Sequence, residues 1–211
     1  MNRLLLALPV AVVALALTAC SSDAADEAGP TSTPTPSAAA PRLWPGWDPS
    51  APGGDLTLAS TDFEAGGELP RSIELGAYGC TGDNVRPELH WDGLPAGTKS
   101  VVVTFTAEGG GPLNRWTLVD VPADVTSLPA GAENPDVGTV TQNALRGDTM
   151  IGPCALEGES WELWFTVYAL DTTLDVEPKA PQTEVLAAGL GHVLEAAELA
   201  GTFSYEAPAG S

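Results

Sequence analysis

The segments LTLAST, SIEL, ELHW, SVVVTFTA, RWTLVDV and SWELWFTVYAL, between Leu56 and Leu170, are short, rich in β-branched and aromatic residues, and separated by stretches full of Gly and Pro. Side chains that branch at Cβ or carry rings fit a pleated, half-buried surface, and Gly and Pro close such runs as turns, so each segment predicts a strand. One helix is predicted within PQTEVLAAGLGHVLEAAELAG, with Thr183 as N-cap and Gly201 just past its last turn, before GTFSYEA returns as a final strand. Many strands with long connections and little helix imply a mostly antiparallel β domain with a peripheral helix. The chain carries no internal repeat.

The first residues do not belong to that domain. Met1-Asn2-Arg3 is a short basic start and Leu4 to Leu17 is apolar. An apolar run of about 14 residues is too short to span a bilayer as a helix and reads as a signal peptide, residues 1–19. Leu17-Thr18-Ala19-Cys20 resembles the bacterial lipobox. That resemblance implies cleavage before Cys20, acylation of its sulfur and amino group, and attachment to the extracytoplasmic face of the cell membrane, since two or three acyl chains hold where one does not. Residues 20–54, rich in Ala, Ser, Thr and Pro, bury too little surface to offset ordering and read as a disordered tether. WPGW at 44–47 interrupts it; its tryptophans either dock on the domain or lie among lipid headgroups. The folded domain is expected over 55–207.

With 28 acidic against 8 basic residues the chain makes nucleic acid an unfit partner, and membrane attachment must rest on lipid and not on a basic patch. Cys80 and Cys154 remain in an oxidising setting, where an even pair suggests a disulfide; a metal site is the weaker alternative, because two cysteines without nearby histidines fall short of the usual zinc ligand count. No cofactor or metal is implied. His90 and His192 read as structural, and Glu157, Glu159 and Glu162 read as a solvated face and not as an acid/base pair.

Four segments in order go beyond a generic β domain: GDNVRPELHWDGLPAGTKSVVVTF, NRWTLVDVPADVTSLPAGA, IGPCALEGESWELWFTVYALD and LGHVLEAAELAGTFSY. Together they resemble the phosphatidylethanolamine-binding protein family, in its bacterial Raf kinase inhibitor-like branch, from about Leu56 to Tyr205. The resemblance implies a central antiparallel sheet, a smaller second sheet and a C-terminal helix near a small anion pocket that takes phosphate or phosphorylated headgroups. It also places the loops of Cys80 and Cys154 beside that pocket, which favours the disulfide, worth roughly 4 kcal/mol in the chain-entropy account.

The polar wall that the family builds around its pocket is substituted here. Its Asp-Pro-Asp-x-Pro loop falls on Ala107-Glu108-Gly109-Gly110-Gly111, the histidine before Trp116 is Arg115, and after Gly152-Pro153-Cys154 the histidine and tyrosine become Trp161 and Leu163. The Asn-Val-Ser-Pro turn becomes Asn84-Val85-Arg86-Pro87. Arg86 and Arg115 map to opposite edges of the pocket and can hold phosphate or carboxylate bidentately. The plainer alternative, favoured by the surrounding negative charge, pairs Arg115 with Glu108 and leaves Arg86 solvated.

The expected function is a non-enzymatic, surface-anchored binding or interaction lipoprotein with a degenerate anion pocket. A receptor for a small molecule or lipid headgroup, with Trp161 and Trp164 as a stacking surface, is the alternative. A hydrolase, or an inhibitor of one, lacks any nucleophile–base pair.

Overall fold

Two antiparallel sheets are built from the β-branched and aromatic runs. In the computed structural model, residues 54–108 and 113–205 are described. The signal peptide, Cys20, the tether and WPGW lie outside these residues. The chain divides between Pro36 and Ser37 into two units, and the described residues all belong to the second.

The small sheet holds β1 (Thr57–Ala59), β2 (Leu89–Asp92) and β5 (Ser127–Leu128) in the order β1-β2-β5. The large sheet holds β3 (Ser100–Glu108), β4 (Leu113–Pro122), β6 (Thr139–Val140), β7 (Ser160–Leu170) and β8 (Val193–Ser204) in the order β6-β4-β3-β7-β8. Val101, Val102, Val103, Thr104 and Phe105 of β3 are all buried, as expected for a central strand covered on both faces. On its inner face the large sheet sends Val103, Phe105, Trp116, Leu118, Leu163 and Phe165 against Leu58, Leu89, Trp91 and Leu128 of the small sheet. The Phe105 and Phe165 rings stack at 4.5 Å within that core. A second, smaller core packs α1 (Gln182–Gly189) and the segment before it on the opposite face, against Val102, Val119, Tyr168, Leu170 and Ala196.

Three expectations are corrected. SIEL is not a strand: Arg71–Ile73 forms a single 3-10 turn, closed by Ile73 N–H donating to Pro70 O at 3.0 Å and Glu74 N–H to Arg71 O at 3.1 Å, and it plugs the fully buried Ile73 into the core. The predicted helix stops at Gly189, well short of Gly201; its N-cap is Pro181, without a side-chain cap bond, and not Thr183. Gly191, at φ +84°, turns the chain, and VLEAAELAGTFS then runs as one strand beside the whole length of β7. VLEAAELA has helix-forming residues, but pairing with a long buried strand outweighs that local preference. The two-residue strands β5 and β6 are too short to leave a periodic pattern.

Candidate functional site

The site begins at a break in register. β3 and β4 pair Phe105 with Trp116 and then Thr106 with Asn114, so Arg115 has no partner in the ladder. A bulge of this kind re-aims the extra residue. Arg115 O accepts from Ile151 N–H at 3.1 Å, and its side chain turns the same way: Nη1 donates to Ile151 O at 3.1 Å and to Gly152 O at 2.9 Å. The guanidinium lies over the Trp161 ring at 4.8 Å. Arg115 is 5% exposed, its Nε has no hydrogen-bond partner, and burial lowers its pKa to about 10, so it remains a cation at neutral pH.

Asn84 holds the segment that Arg115 grips. At φ +54° it directs its amide across the 150–152 backbone, Nδ2 donating to Met150 O at 2.8 Å and Oδ1 accepting from Gly152 N–H at 2.7 Å. Leu75 N–H donates to Pro153 O at 2.9 Å on the same run. A Cβ at Gly152 would stand 2.0 Å from Ile73 O, so only glycine allows this close packing. Cys80 and Cys154 are joined in a disulfide with Cα atoms 5.7 Å apart, tying the Tyr78 loop to the Gly-Pro turn.

These pieces enclose a cavity of about 160 Å³, lined by Leu75, Tyr78, Arg115, Ala144, Leu145, Ile151, Gly152, Cys154 and Trp161. Arg115 supplies its one charge; nearly all the rest of the wall is carbon. Leu145 reaches the rim because buried Asn143 ties the loop behind it, Oδ1 accepting from Leu145 N–H and Gly147 N–H and Nδ2 donating to Thr149 O. Tyr78 and Leu145 remain mostly exposed at the mouth.

Of the predicted pocket residues, Arg115, Gly152 and Trp161 meet at the cavity and Pro153 supports it. Ala107 and Leu163 pair across β3 and β7 and belong to the core between the sheets, as does Trp116, whose Nε1 donates to Asn134 Oδ1 at 3.3 Å. Glu108 closes β3. Gly109–Gly111 lie outside the described residues.

Arg86 is neither at the pocket edge nor solvated. A bridge pairs it with Gly131, its Nη1 and Nη2 donate to Glu133 O and Pro129 O, and its guanidinium lies 5.3 Å from the Trp116 ring centre. Loop carbonyls hold both of its terminal nitrogens away from the cavity, whose wall it does not join, and burial lowers its pKa. Pro87 is buried beside it. Trp164 cannot join Trp161 in a stacking surface, because residues three apart on a strand point to opposite faces.

The two histidines lie apart from the cavity, and Glu159 meets it only through the edge of the Trp161 ring. His90 Nδ1 meets Glu88 at 3.0 Å, His192 Nδ1 meets Asp171 at 2.7 Å, and Glu159 accepts from Leu156 N–H and Trp161 Nε1. No group of three His, Cys, Asp or Glu side chains converges on a metal site among the described residues. Leu75, Tyr78, Ala144, Leu145 and Ile151 escaped the sequence reading; the clustered turn residues of QNALRGDT around one leucine were the signal for the Leu145 loop.

Comparison with known proteins places this geometry among relatives. The family model for phosphatidylethanolamine-binding protein matches residues 59–204. The chain is 34% identical over 158 residues to the UPF0098 protein YbhB of Escherichia coli, covering 71% of this chain and 100% of that protein. It is 33% identical over 157 residues to a UPF0098 protein of Methanothermobacter thermautotrophicus, covering 70% and 98%. Among solved structures it is similar to Escherichia coli YbcL, described as a new member of the mammalian PEBP family, with a TM-score of 0.66, 27% identity, and coverage of 72% of this chain and 100% of that one.

Proposed function

The chain belongs to the phosphatidylethanolamine-binding protein family, and from that premise we propose a non-enzymatic binding protein whose cavity takes a small molecule with one anionic group and an apolar body. We place it at the extracytoplasmic face of the membrane through a lipidated Cys20. One observation carries the binding reading: Arg115 brings a buried guanidinium, without an ion-pair partner among the described residues, to the wall of an otherwise carbon-lined cavity. A buried cation without a counter-ion is costly, and an anion that enters beside it offsets that cost. Nη1 is occupied by two carbonyls, while Nε lacks a partner.

A single cation suits a carboxylate. A phosphate dianion would keep an unmatched charge in a carbon-lined space, which is how the substitution of the family's polar wall alters selectivity. The cavity volume far exceeds one water and admits a molecule of about benzoate's size. Two further features favour binding over catalysis: each histidine faces a carboxylate away from the cavity, and Cys154, the one cysteine in its wall, has its sulfur bonded to Cys80. The exposed Tyr78 and Leu145 at the mouth favour a second, compatible reading, in which the rim also docks a protein partner.

Calorimetry on the full chain in detergent tests the binding reading, with benzoate and inorganic phosphate as probes. Benzoate is expected to bind at least roughly tenfold more tightly than phosphate and to change Trp161 fluorescence. Equal or tighter phosphate binding, or no response to benzoate, overturns it. The anchoring reading fails if Cys20→Ser leaves the protein in the membrane fraction.

A further inference from the structure

The segment LGAYGCTGDN, Leu75 to Asn84, leaves the 3-10 turn at Arg71–Ile73 and comes back beside it as a closed loop. Its base is pinned. Asn84 N–H donates to Glu74 O at 2.9 Å and Val85 N–H to Ser72 O at 2.8 Å, and a Cβ at Gly76 would stand 2.6 Å from Gly82 O, so the two arms touch. The tip is held differently. Gly76, Ala77, Tyr78 and Gly79 are exposed, nothing between Gly76 and Asp83 joins either apolar core, and Cys80 N–H donates to Ala77 O within the loop itself at 3.1 Å. Ala77 O also lies 3.9 Å from the Cys154 sulfur, which has no proton to donate while it is bonded. Among the described residues no ion pair and no further hydrogen bond runs from this tip to the body of the domain, so the Cys80–Cys154 bond fastens it.

We propose that this bond is a reducible latch on a lid: thiol–disulfide exchange at Cys80–Cys154 frees the Tyr78 loop and opens the cavity. Both cysteines are half-buried at the surface, where a thiolate from solvent can reach a sulfur. The reductant this requires is a dithiol. One of its thiolates attacks a sulfur of the pair, forms a mixed disulfide and expels the other cysteine as a thiolate. Its second thiol then displaces the first cysteine. Two electrons and two protons pass to Cys80 and Cys154, which end as thiols, and the dithiol leaves as its own disulfide.

What moves and what stays follows from the hydrogen bonds. Gly76, Gly79 and Gly82 make this short segment entropically costly to order, so little restrains it once the bond is cut. Tyr78, a wall residue at φ +57°, leaves the mouth with it. Arg115 keeps its bonds to Ile151 O and Gly152 O, and Asn84, at the pinned base, keeps Met150 O and Gly152 N–H. Reduction thus removes one wall and leaves the cation in place, so a ligand exchanges faster. The gating of ligand rests on the binding reading above; the release of the loop does not.

The test uses the full chain in detergent, oxidised and after dithiothreitol without denaturant, with C80S/C154S as a permanently unlatched form. Alkylation followed by mass spectrometry is expected to find both Cys80 and Cys154 as thiols after dithiothreitol. Chymotrypsin is then expected to cut after Tyr78 at least roughly tenfold faster than in the oxidised protein, and there before any other bond within residues 54–205, because cleavage follows the population of the open segment. Leu190, exposed and at the far end of the β7–β8 pair from Trp161, is the internal control. Stopped-flow Trp fluorescence should show benzoate dissociating several-fold faster from the reduced protein and from C80S/C154S. A bond that reduces only once urea unfolds the chain overturns the latch, as does a first cut at Leu190 or elsewhere in the domain, or no acceleration at Tyr78. Faster cutting at Tyr78 with unchanged benzoate exchange overturns the gating. Absence of any benzoate response in both forms refutes the binding reading and the gating with it, while the cleavage pattern still decides the latch.

Discussion

Replacing Arg115 with methionine separates what this side chain does for the fold from what it does for a ligand. Two charge-assisted hydrogen bonds to Ile151 O and Gly152 O are lost, at about 1.5 to 3 kcal/mol each, with about 1 kcal/mol of stacking on Trp161. Against this, a buried charge is removed. The fall of its pKa to about 10 corresponds to roughly 3 kcal/mol of destabilisation by charge burial. The net cost is about 2 kcal/mol, or a fall in Tm of roughly 4 to 8 °C for a domain of this size.

Binding should respond far more strongly, because the variant has no cation in the cavity. Urea unfolding with and without benzoate measures both. The pH dependence follows from the sign of the shift: the folded-state pKa lies below the unfolded one, so burial of the charge costs stability at every pH below about 10, and the cost is relieved as pH rises from about 10 towards the unfolded value. An anion can offset the cost only while the charge exists. Stabilisation by benzoate is therefore expected at pH 8, to fade as pH passes about 10, and to be absent from R115M throughout. A stability loss of roughly 5 kcal/mol or more would make Arg115 a structural clamp, and unchanged benzoate stabilisation in R115M would refute its role in the cavity.

Two further perturbations test the frame around the cavity. Gly152→Ala drives a Cβ towards Ile73 O and Asn84 Oδ1; we expect a loss of about 3 kcal/mol in urea unfolding and weaker benzoate binding, since the segment carrying both Arg115 acceptors must shift. Removing the disulfide by C80S with C154S opens a loop spanning 74 residues and is expected to cost roughly 4 kcal/mol, read as a lower urea midpoint matched by reducing the wild type.

Much of the fold was legible because strands advertise themselves locally. β2, β3, β4 and β7 coincide with β-branched and aromatic runs closed by Gly and Pro. Even the opposite faces of Trp161 and Trp164 follow from the two-residue period, although the two were first grouped as one surface. The site was legible only in part. Arg115, Gly152 and Trp161 could be named from motif positions, whereas Leu75, Tyr78 and Leu145 reach the cavity from loops whose paths depend on the Asn143 and Asn84 hydrogen bonds.

What the sequence by itself determined is the mostly β architecture, the family frame and the pairing of Cys80 with Cys154, because side-chain shape, turn residues and motif order act over short spans or are shared by relatives. Tertiary structure alone decided three matters. VLEAAELAGTFS is a strand because it lies beside β7; Arg86 serves the loop at Pro129 and Glu133 because that loop's carbonyls reach it first; and Arg115 serves the cavity because a bulge between Phe105 and Thr106 frees it from the ladder. Each depends on what distant segments bring within hydrogen-bonding distance, and local sequence does not encode that.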